Sequence, residues 1–422
     1  MIDGFRCASC GAFVGLDAVA PWRCPNENGD RRHVLLRMER ADVGDPLVSA
    51  DGDEANPFIR FRRLMAWHAF ALAHGMSDAE TVQLVRDTND GFHTTPVTRS
   101  SSLSDELGFG PTGGVWVKDE TGNVGGSQKA RHLMSILLHL RVAESLGLVS
   151  WTEPTRPSLA ISSCGNAAIA AATLAHAAKW PLDVFIPEWA SGLTVSSLES
   201  LGARINRCPR RAGDPPGDPT VLRFREAVAK GAIPFSVQGP ENALCLDGGR
   251  TFGWELGESL GGEGIDAVDA LFVQVGGGAF AAAVSRGARE TGLRAPLFAV
   301  QTEGCAPLAR AWSSARDDEV MARHWSEHMR AWESEPRSLA DGILDDETYD
   351  WVADVIELRT TGGRVVVARE HNVIRASLMA PSISGIDVSP TGAAGLAGLM
   401  ECRSHIDDDA RVVVAFSGVR RD

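Results

Sequence analysis

The residues best suited to chemistry fall in GNVGGSQKARH, residues 122–132. Lys129 stands two residues after Ser127, just behind a pair of glycines, in a chain whose 41 basic residues include lysine only at 118, 129, 179 and 230. A guanidinium stays protonated, whereas a lysine amine can lose its proton and act as nucleophile or base. A lysine kept in so arginine-rich a chain therefore points to a reacting amine. Two further stretches are made of small residues. In VQVGGGAFAAAV, Gly276, Gly277 and Gly278 follow an apolar run and precede a helical one. Such a turn bares backbone amides at the positive end of a helix, where a phosphate sits well. In SSCGNAA, Ser163, Cys164, Gly165, Asn166 and Ala167 open another helix, with amides and an Asn side chain able to receive a carboxylate or phenolate oxygen. Taken singly, these are a solvated lysine, a tight turn and a helix cap. Taken together they describe a cradle for an anionic, aromatic cofactor. The glycine run lacks the G-x-G-x-x-G spacing and lies late in the chain, so a nicotinamide enzyme is the poorer reading.

The elements that must position these residues alternate. GGVWVKDE reads as a short strand, and SQKARHLMSILLHLRVAESLG carries apolar residues at helical spacing up to Gly147. SLAISSCGNAAIAAATLAHAA runs from strand through a small-residue turn into an Ala-rich helix; LDVFIP, ALFVQV, PLFAVQT and ARVVVAFSG are further apolar strands. Strands joined by helices and buried on both faces predict a parallel α/β sheet. Helices are also expected in FIRFRRLMAWHAFALAHG and in SDAETVQLVRDT, where Ser77 and Glu80 form a capping-box pattern. Residues 310–335 read as an inserted amphipathic helical arm whose Trp312, Trp325 and Trp332 serve packing rather than catalysis. The Pro- and Gly-rich stretch 208–220 reads as a loop.

Charge and length narrow the partners. The formal charge of −14 on 422 residues disfavours nucleic acid and anionic membranes. No apolar run is long enough to span a bilayer, and the opening MIDGFRCASCG lacks a secretory pattern, so the cytoplasm is the simplest address. The eight cysteines are spread too thinly for a disulfide framework. Cys7, Cys10 and Cys24 supply three quarters of a zinc ribbon; the place of a fourth cysteine falls on Glu27, and His33 could complete a Cys3His site for a structural zinc. The acidic, aperiodic residues 43–56 read as a linker, which sets a boundary near residue 56.

Beyond these local readings, the chain resembles the fold-type II pyridoxal-phosphate enzymes, the tryptophan synthase β family, and among them most the threonine synthases. The resemblance rests on Ser127-Gln128-Lys129, on Ser163 to Asn166, and on DGGRTFGWE, VQVGGGAF, VQTEGCAPL, SLADGI, PTGAAGLAGL and the closing FSG, in the family's order over roughly residues 91–422. It implies two parallel-sheet α/β domains with the cofactor between them, preceded by the ribbon-like segment 1–56. The large domain would comprise 57–129 and 236–422, and the small mobile one 130–235. It also implies a cytoplasmic homodimer acting on a small amino acid. Lys129 would carry pyridoxal 5'-phosphate as a Schiff base and then serve as the base at Cα. Gly276, Gly277, Gly278 and Ala279 would hold the phosphate, Asn166 the ring hydroxyl and Ser417 the pyridine nitrogen. Ser163, Cys164, Gly165, Asn166 and Ala167 would receive the substrate, with Gln128 beside it. Elimination or replacement at Cβ or Cγ is the expected chemistry. Gln128, His132 and Cys164 depart from the family's pattern. A thiol at Cys164 opens an alternative, a racemase or epimerase using Lys129 and Cys164 as two bases, and the altered residues leave a third, a non-catalytic binding protein. Arg131, His132, Arg250 and Arg337 are the available cations for a substrate phosphate, and none forms a clear cluster.

Overall fold

The computed structural model describes residues 2–28, 32–39, 54–215 and 217–421. Most of the expected 43–56 linker lies outside them. Strands β1 (Ile2–Cys7), β2 (Phe13–Gly15) and β3 (Leu35–Glu39) form a small antiparallel sheet in the order β2-β1-β3. The main sheet contains β4 (Val97–Ser100) and β5 (Gly114–Asp119). Between its two halves of sequence lie β6 (Leu159–Ser162), β7 (Leu182–Ile186), β8 (Arg204–Arg207) and β9 (Ile233–Pro234), which make a separate parallel sheet in the order β8-β7-β6-β9. The main sheet is completed by β10 (Ala270–Gln274), β11 (Leu297–Thr302), β12 (Arg364–Ala368) and β13 (Arg411–Phe416), in the order β12-β11-β10-β13-β5-β4. All its pairings are parallel except that of β4 with β5.

Every residue of β10 and β11 is buried, as expected of strands covered by helices on both faces. Because β5, β10 and β13 run parallel, their carboxyl ends open on one edge of the sheet. Asp119 leads from that edge toward Lys129, Gln274 leads to Gly276, and Phe416 to Ser417. The carboxyl end of β6 leads likewise to Ser163. Ligand sites of open α/β sheets lie beyond such ends.

Three helices fix the spacing of that edge: Lys129–Ser145, Leu244–Gly262 and Ala279–Glu290. DGGRTFGWE belongs to the middle one, and its glycines let the three approach closely. A Cβ at Gly248 would strike the Arg131 carbonyl, and one at Gly253 would strike that of Val284. The capping box at Ser77 is present: Ser77 Oγ accepts from the Glu80 amide at 3.3 Å and Glu80 accepts from the Ser77 amide at 2.8 Å.

Two helix expectations are corrected. Residues 57–73 are broken into Pro57–Arg60, a 3-10 turn at Arg62–Leu64, and Ala66–Ala73, because Met65 is extended and the Ala66 amide donates to Asp247 at 2.7 Å instead of to its own helix. The arm at 310–335 is helical only at Pro307–Ala315 and Trp325–His328. There the Asp318 carboxylate takes the Val320 amide at 2.9 Å, and Arg359 takes the Asp318 carbonyl at 2.8 Å, so side chains replace the helical ladder. The packing role of the tryptophans holds: buried Trp325 meets Trp351 with ring centroids 5.4 Å apart, and Arg310 stacks on Trp332.

Candidate active site

Ser127 and Gly418 pair as an isolated antiparallel bridge, and the Gln128 amide donates to the Ser417 carbonyl at 2.9 Å. These bonds tie the start of the Lys129 helix to the end of β13. A Cβ placed on Gly418 would lie 3.0 Å from Ser127 Cβ and 3.1 Å from Asn166 Nδ2, so the Asn166 amide reaches the same point. Ser127, Gln128, Lys129, Asn166 and Ser417, chosen from distant stretches of sequence, thus converge. The turn Gly276–Gly278 joins them through two acids: the Asp345 carboxylate lies 2.5 Å from a Cβ built on Gly276, Asp350 Cβ lies 3.2 Å from one on Gly278, and both charges act on Lys129. Gly278 has φ 98°, which strains any side chain, and a Cβ there would also meet the Asp354 carboxylate.

Lys129 is partly buried, and among the described residues no hydrogen bond or ion pair engages its amine. Burial lowers its pKa, against the pull of Asp345, Cys245 and Asp350. Ser127 Oγ is buried without a partner. Ser417 Oγ accepts from Gln274 Nε2 at 2.5 Å, which leaves its own proton to donate elsewhere. Asn166 Oδ1 accepts from Arg421 Nε at 2.6 Å, which leaves its NH2 as a donor facing the site. Ser163 Oγ caps the Gly165 amide at 3.3 Å; partly buried Cys164 precedes the helix Asn166–Ala177, and buried Ala167 lies in its first turn. Burial, then Asp341 and Asp218, push the Cys164 thiol upward, so it keeps its proton.

Sequence reasoning misses the acids, because it stops at SLADGI. They follow at once in LDDETYD, together with Tyr349, the chain's single tyrosine. Tyr349 Cδ2 lies 3.1 Å from a Cβ built on Gly277. Burial raises Asp345 to about 6 and Asp350 to about 7. These carboxyls can therefore sit protonated beside an anion, at neutral pH or just below it.

The cations weighed for a substrate phosphate are committed elsewhere. Arg131 is buried between Glu120 at 2.8 Å and Glu255 at 2.7 Å. Buried His132 bonds the Cys245 carbonyl at 2.8 Å, and burial lowers it to about 3, so it is neutral. Arg250 pairs with Glu290 at 2.6 Å, and Arg337, 81% exposed, pairs with Glu335.

Residues 88–418 match the family described as pyridoxal-phosphate dependent enzyme. The chain belongs to the pyridoxal-phosphate-dependent enzymes. It is 22% identical to a threonine synthase of Methanocaldococcus jannaschii, over 98% of this chain and 91% of that one. A solved T.th. threonine deaminase superposes with a TM-score of 0.63 at 21% identity, covering 82% of this chain and 99% of that one. Maize serine racemase superposes with a TM-score of 0.59 at 20% identity, covering 81% and 93%. These likenesses support the fold-type II α/β architecture that the resemblance implied. They span synthase, deaminase and racemase, and fix no single reaction. The residues present fit pyridoxal phosphate: an unengaged amine, an orphaned serine hydroxyl, a donor hydroxyl at Ser417, and a glycine turn at a helix N-terminus.

A second cluster lies in the N-terminal sheet. Cys7, Cys10, Cys24 and His33 bring one ligand atom each within 4.8 Å of one another. Cys10 Sγ and Cys24 Sγ are 3.5 Å apart, and Cys7 Sγ lies 3.6 Å from His33 Nδ1. Donors around a tetrahedral zinc at about 2.0–2.3 Å stand at similar separations, so the cluster could hold a metal.

In the described residues no helix is long and apolar enough to cross a membrane.

Proposed function

We propose that this enzyme eliminates or replaces a group at Cβ or Cγ of a small amino acid, with Lys129 as the residue that carries the cofactor and moves the Cα proton. The observation that supports this reading is the Lys129 amine, without a hydrogen-bond or ion-pair partner among the described residues, lowered by burial, and acted on by Asp345 and Asp350, the acids that flank the glycine turn. Bound pyridoxal phosphate supplies an electron sink for the Cα carbanion. Ser127 Oγ and the amides of Gly277, Gly278 and Ala279 would hold its phosphate, and the Asn166 NH2 its ring hydroxyl. The Ser417 hydroxyl would donate to the pyridine nitrogen, because Gln274 already fills its acceptor role at 2.5 Å. A hydroxyl at Ser417, unlike a carboxylate, would not hold that nitrogen protonated, a setting that would suit loss of a β-group. Gln128 and the amides of Ser163 to Ala167 would take the substrate carboxylate.

The leaving group in this reading is not a phosphate. The cations that could serve one are paired, and the charges of Asp341 and Asp218 act on Cys164 in the substrate loop. An anionic side chain meets repulsion there. The two-base racemase reading needs Cys164 to lose its proton readily, and the raised thiol weighs against it. An intact Lys129 supports an enzyme over a silent scaffold.

The domain limits 57–129 with 236–422 and 130–235, a homodimer, and zinc in the cysteine cluster belong to the same proposal. Ile374 and Leu378, exposed at 46% and 65% on the Glu370–Ser384 helix, support a self-association face. Borohydride reduction of the holoenzyme followed by peptide mapping tests the centre of the reading. The expected label is on Lys129, and a label on Lys118, or none, overturns it. A panel of hydroxy-, acyloxy- and amino-substituted amino acids against their phosphorylated counterparts then tests the leaving group. Preference for the phosphorylated set would refute that part.

A further inference from the structure

The Pro307–Ala315 helix and the short Trp325–His328 helix are joined by turns that carry Asp318 and His324. Asp318 Oδ2 lies 2.6 Å from His324 Nδ1 and 3.0 Å from His328 Nε2. The other oxygen of Asp318 accepts from the Val320 amide at 2.9 Å, which holds the carboxylate in place. His328 Nδ1 lies 3.0 Å from Ser314 Oγ. That hydroxyl has its own acceptors in the carbonyls of Ala311 at 3.2 Å and Arg310 at 3.3 Å. The imidazole is therefore assigned as donor to Ser314, which turns the lone pair of Nε2 toward the carboxylate. Two acceptors facing each other at 3.0 Å repel unless a cation joins them.

We propose that Asp318, His324 and His328 bind a borderline divalent cation of the Zn2+ or Co2+ class, with water in the remaining positions. Two imidazoles and one carboxylate are a donor set for such ions. Their ligand atoms lie within 4.8 Å of one another. A cation bound tetrahedrally at about 2.0–2.2 Å sets adjacent donors roughly 3.4 Å apart, so Asp318 Oδ2, now 2.6 Å and 3.0 Å from the two imidazole nitrogens, would draw back from them by less than about 1 Å to admit it. The serine behind His328 supplies the outer hydrogen bond that metal-binding histidines commonly make. His328 is 8% exposed and His324 44%, so the cluster is anchored on one side and open to water on the other.

The position gives the ion a structural task. Residues 316–350 contain little regular structure, and long irregular stretches need a staple. The cluster closes one loop between the two helices. Between its histidines, Ser326 accepts from Arg32 at 2.8 Å, so the same loop receives the N-terminal segment beside His33. A shared proton is the competing occupant of the cluster, and cobalt separates the two.

The test is a Co2+ titration of chelator-treated, full-length holoenzyme, in the wild type and in a Cys10→Ser/Cys24→Ser variant. The expected result in the cysteine variant is one equivalent of Co2+ with ligand-field bands and no thiolate charge-transfer band. His328→Ala on that background should weaken it by about tenfold or more. Asp318→Asn, which keeps a hydrogen-bond acceptor for His324, should do the same and serves if the histidine variant fails to fold. Trypsin cleavage after Arg323 should slow with saturating Zn2+ only when all three ligands are present. Absence of the thiolate-free equivalent, or its survival unchanged in Asp318→Asn, overturns the proposal.

Discussion

Replacing Arg131 with methionine should destabilise the protein more than any surface change, because it unbalances a buried charge cluster. Arg131 bonds Glu120 at 2.8 Å and Glu255 at 2.7 Å, and all three side chains are at most 1% exposed. Lys118 Nζ reaches Glu255 at 2.5 Å and the Thr95 carbonyl at 2.7 Å. Two cations thus balance two carboxylates, and methionine leaves both carboxylates with Lys118 alone. Breaking one side of a buried pair costs about 3–5 kcal/mol, while methionine preserves most of the volume. Urea unfolding followed by circular dichroism measures the loss. The double variant Glu120→Gln/Arg131→Met restores neutrality and should recover a substantial part of it. The pH dependence carries a sign as well. Burial raises Glu120, but Arg131 outweighs it and holds the group at about 2, below its ordinary 4.5. Its contribution is therefore complete above about pH 4.5 and is lost as pH falls toward 2. A cost for Arg131→Met below about 1 kcal/mol, or a double variant as weak as the sum of the singles, would refute the reasoning. The cluster also holds the first turn of the Lys129 helix against β4 and β5, so weaker cofactor binding should accompany the loss of stability.

Three further outcomes are expected. Gly278→Ala puts a side chain at φ 98° and against the Asp354 carboxylate, so it should cost about 1–3 kcal/mol in unfolding experiments and lower cofactor affinity; unchanged affinity would remove the turn from the site. Asp345, raised to about 6, ionises as pH climbs and then repels a phosphate. Asp345→Asn should accordingly gain roughly tenfold in cofactor affinity over wild type between about pH 5 and pH 8, by spectroscopic titration, and a ratio that does not change with pH would place the phosphate elsewhere. Cys164→Ala should keep elimination activity within about tenfold, and solvent deuterium should enter Cα without inversion in wild type and variant alike; inversion abolished by the substitution would restore the racemase reading.

Several parts of this protein are legible in its sequence because their signals are local. The strand ALFVQ running into Gly276–Gly278, the serine two residues before Lys129, and the Ser77–Glu80 box each need only neighbouring residues to declare their backbone. Alternation of such units implied a parallel sheet, while the gathering of Lys129, Ser163, Gly276 and Ser417 around one cofactor came from the family resemblance, since Ser163 follows a strand of the second sheet. The cysteine spacing similarly pointed to Cys7, Cys10, Cys24 and His33, which do meet.

Tertiary structure decided what those residues face. Arg131 looked available for a substrate phosphate until Glu255, from a helix 124 residues away, claimed it. The helix expected across residues 57–73 broke where Asp247 captured the Ala66 amide across 181 residues. Arg421 reached Asn166 across 255 residues, and Asp345 came to lie against Gly276. A charge or hydrogen-bond partner supplied over such separations leaves no periodicity or capping pattern in the chain, since its energy depends on distance in space. Local spacing determined which groups could react; the partners brought in by folding decided which of them remain free to do so.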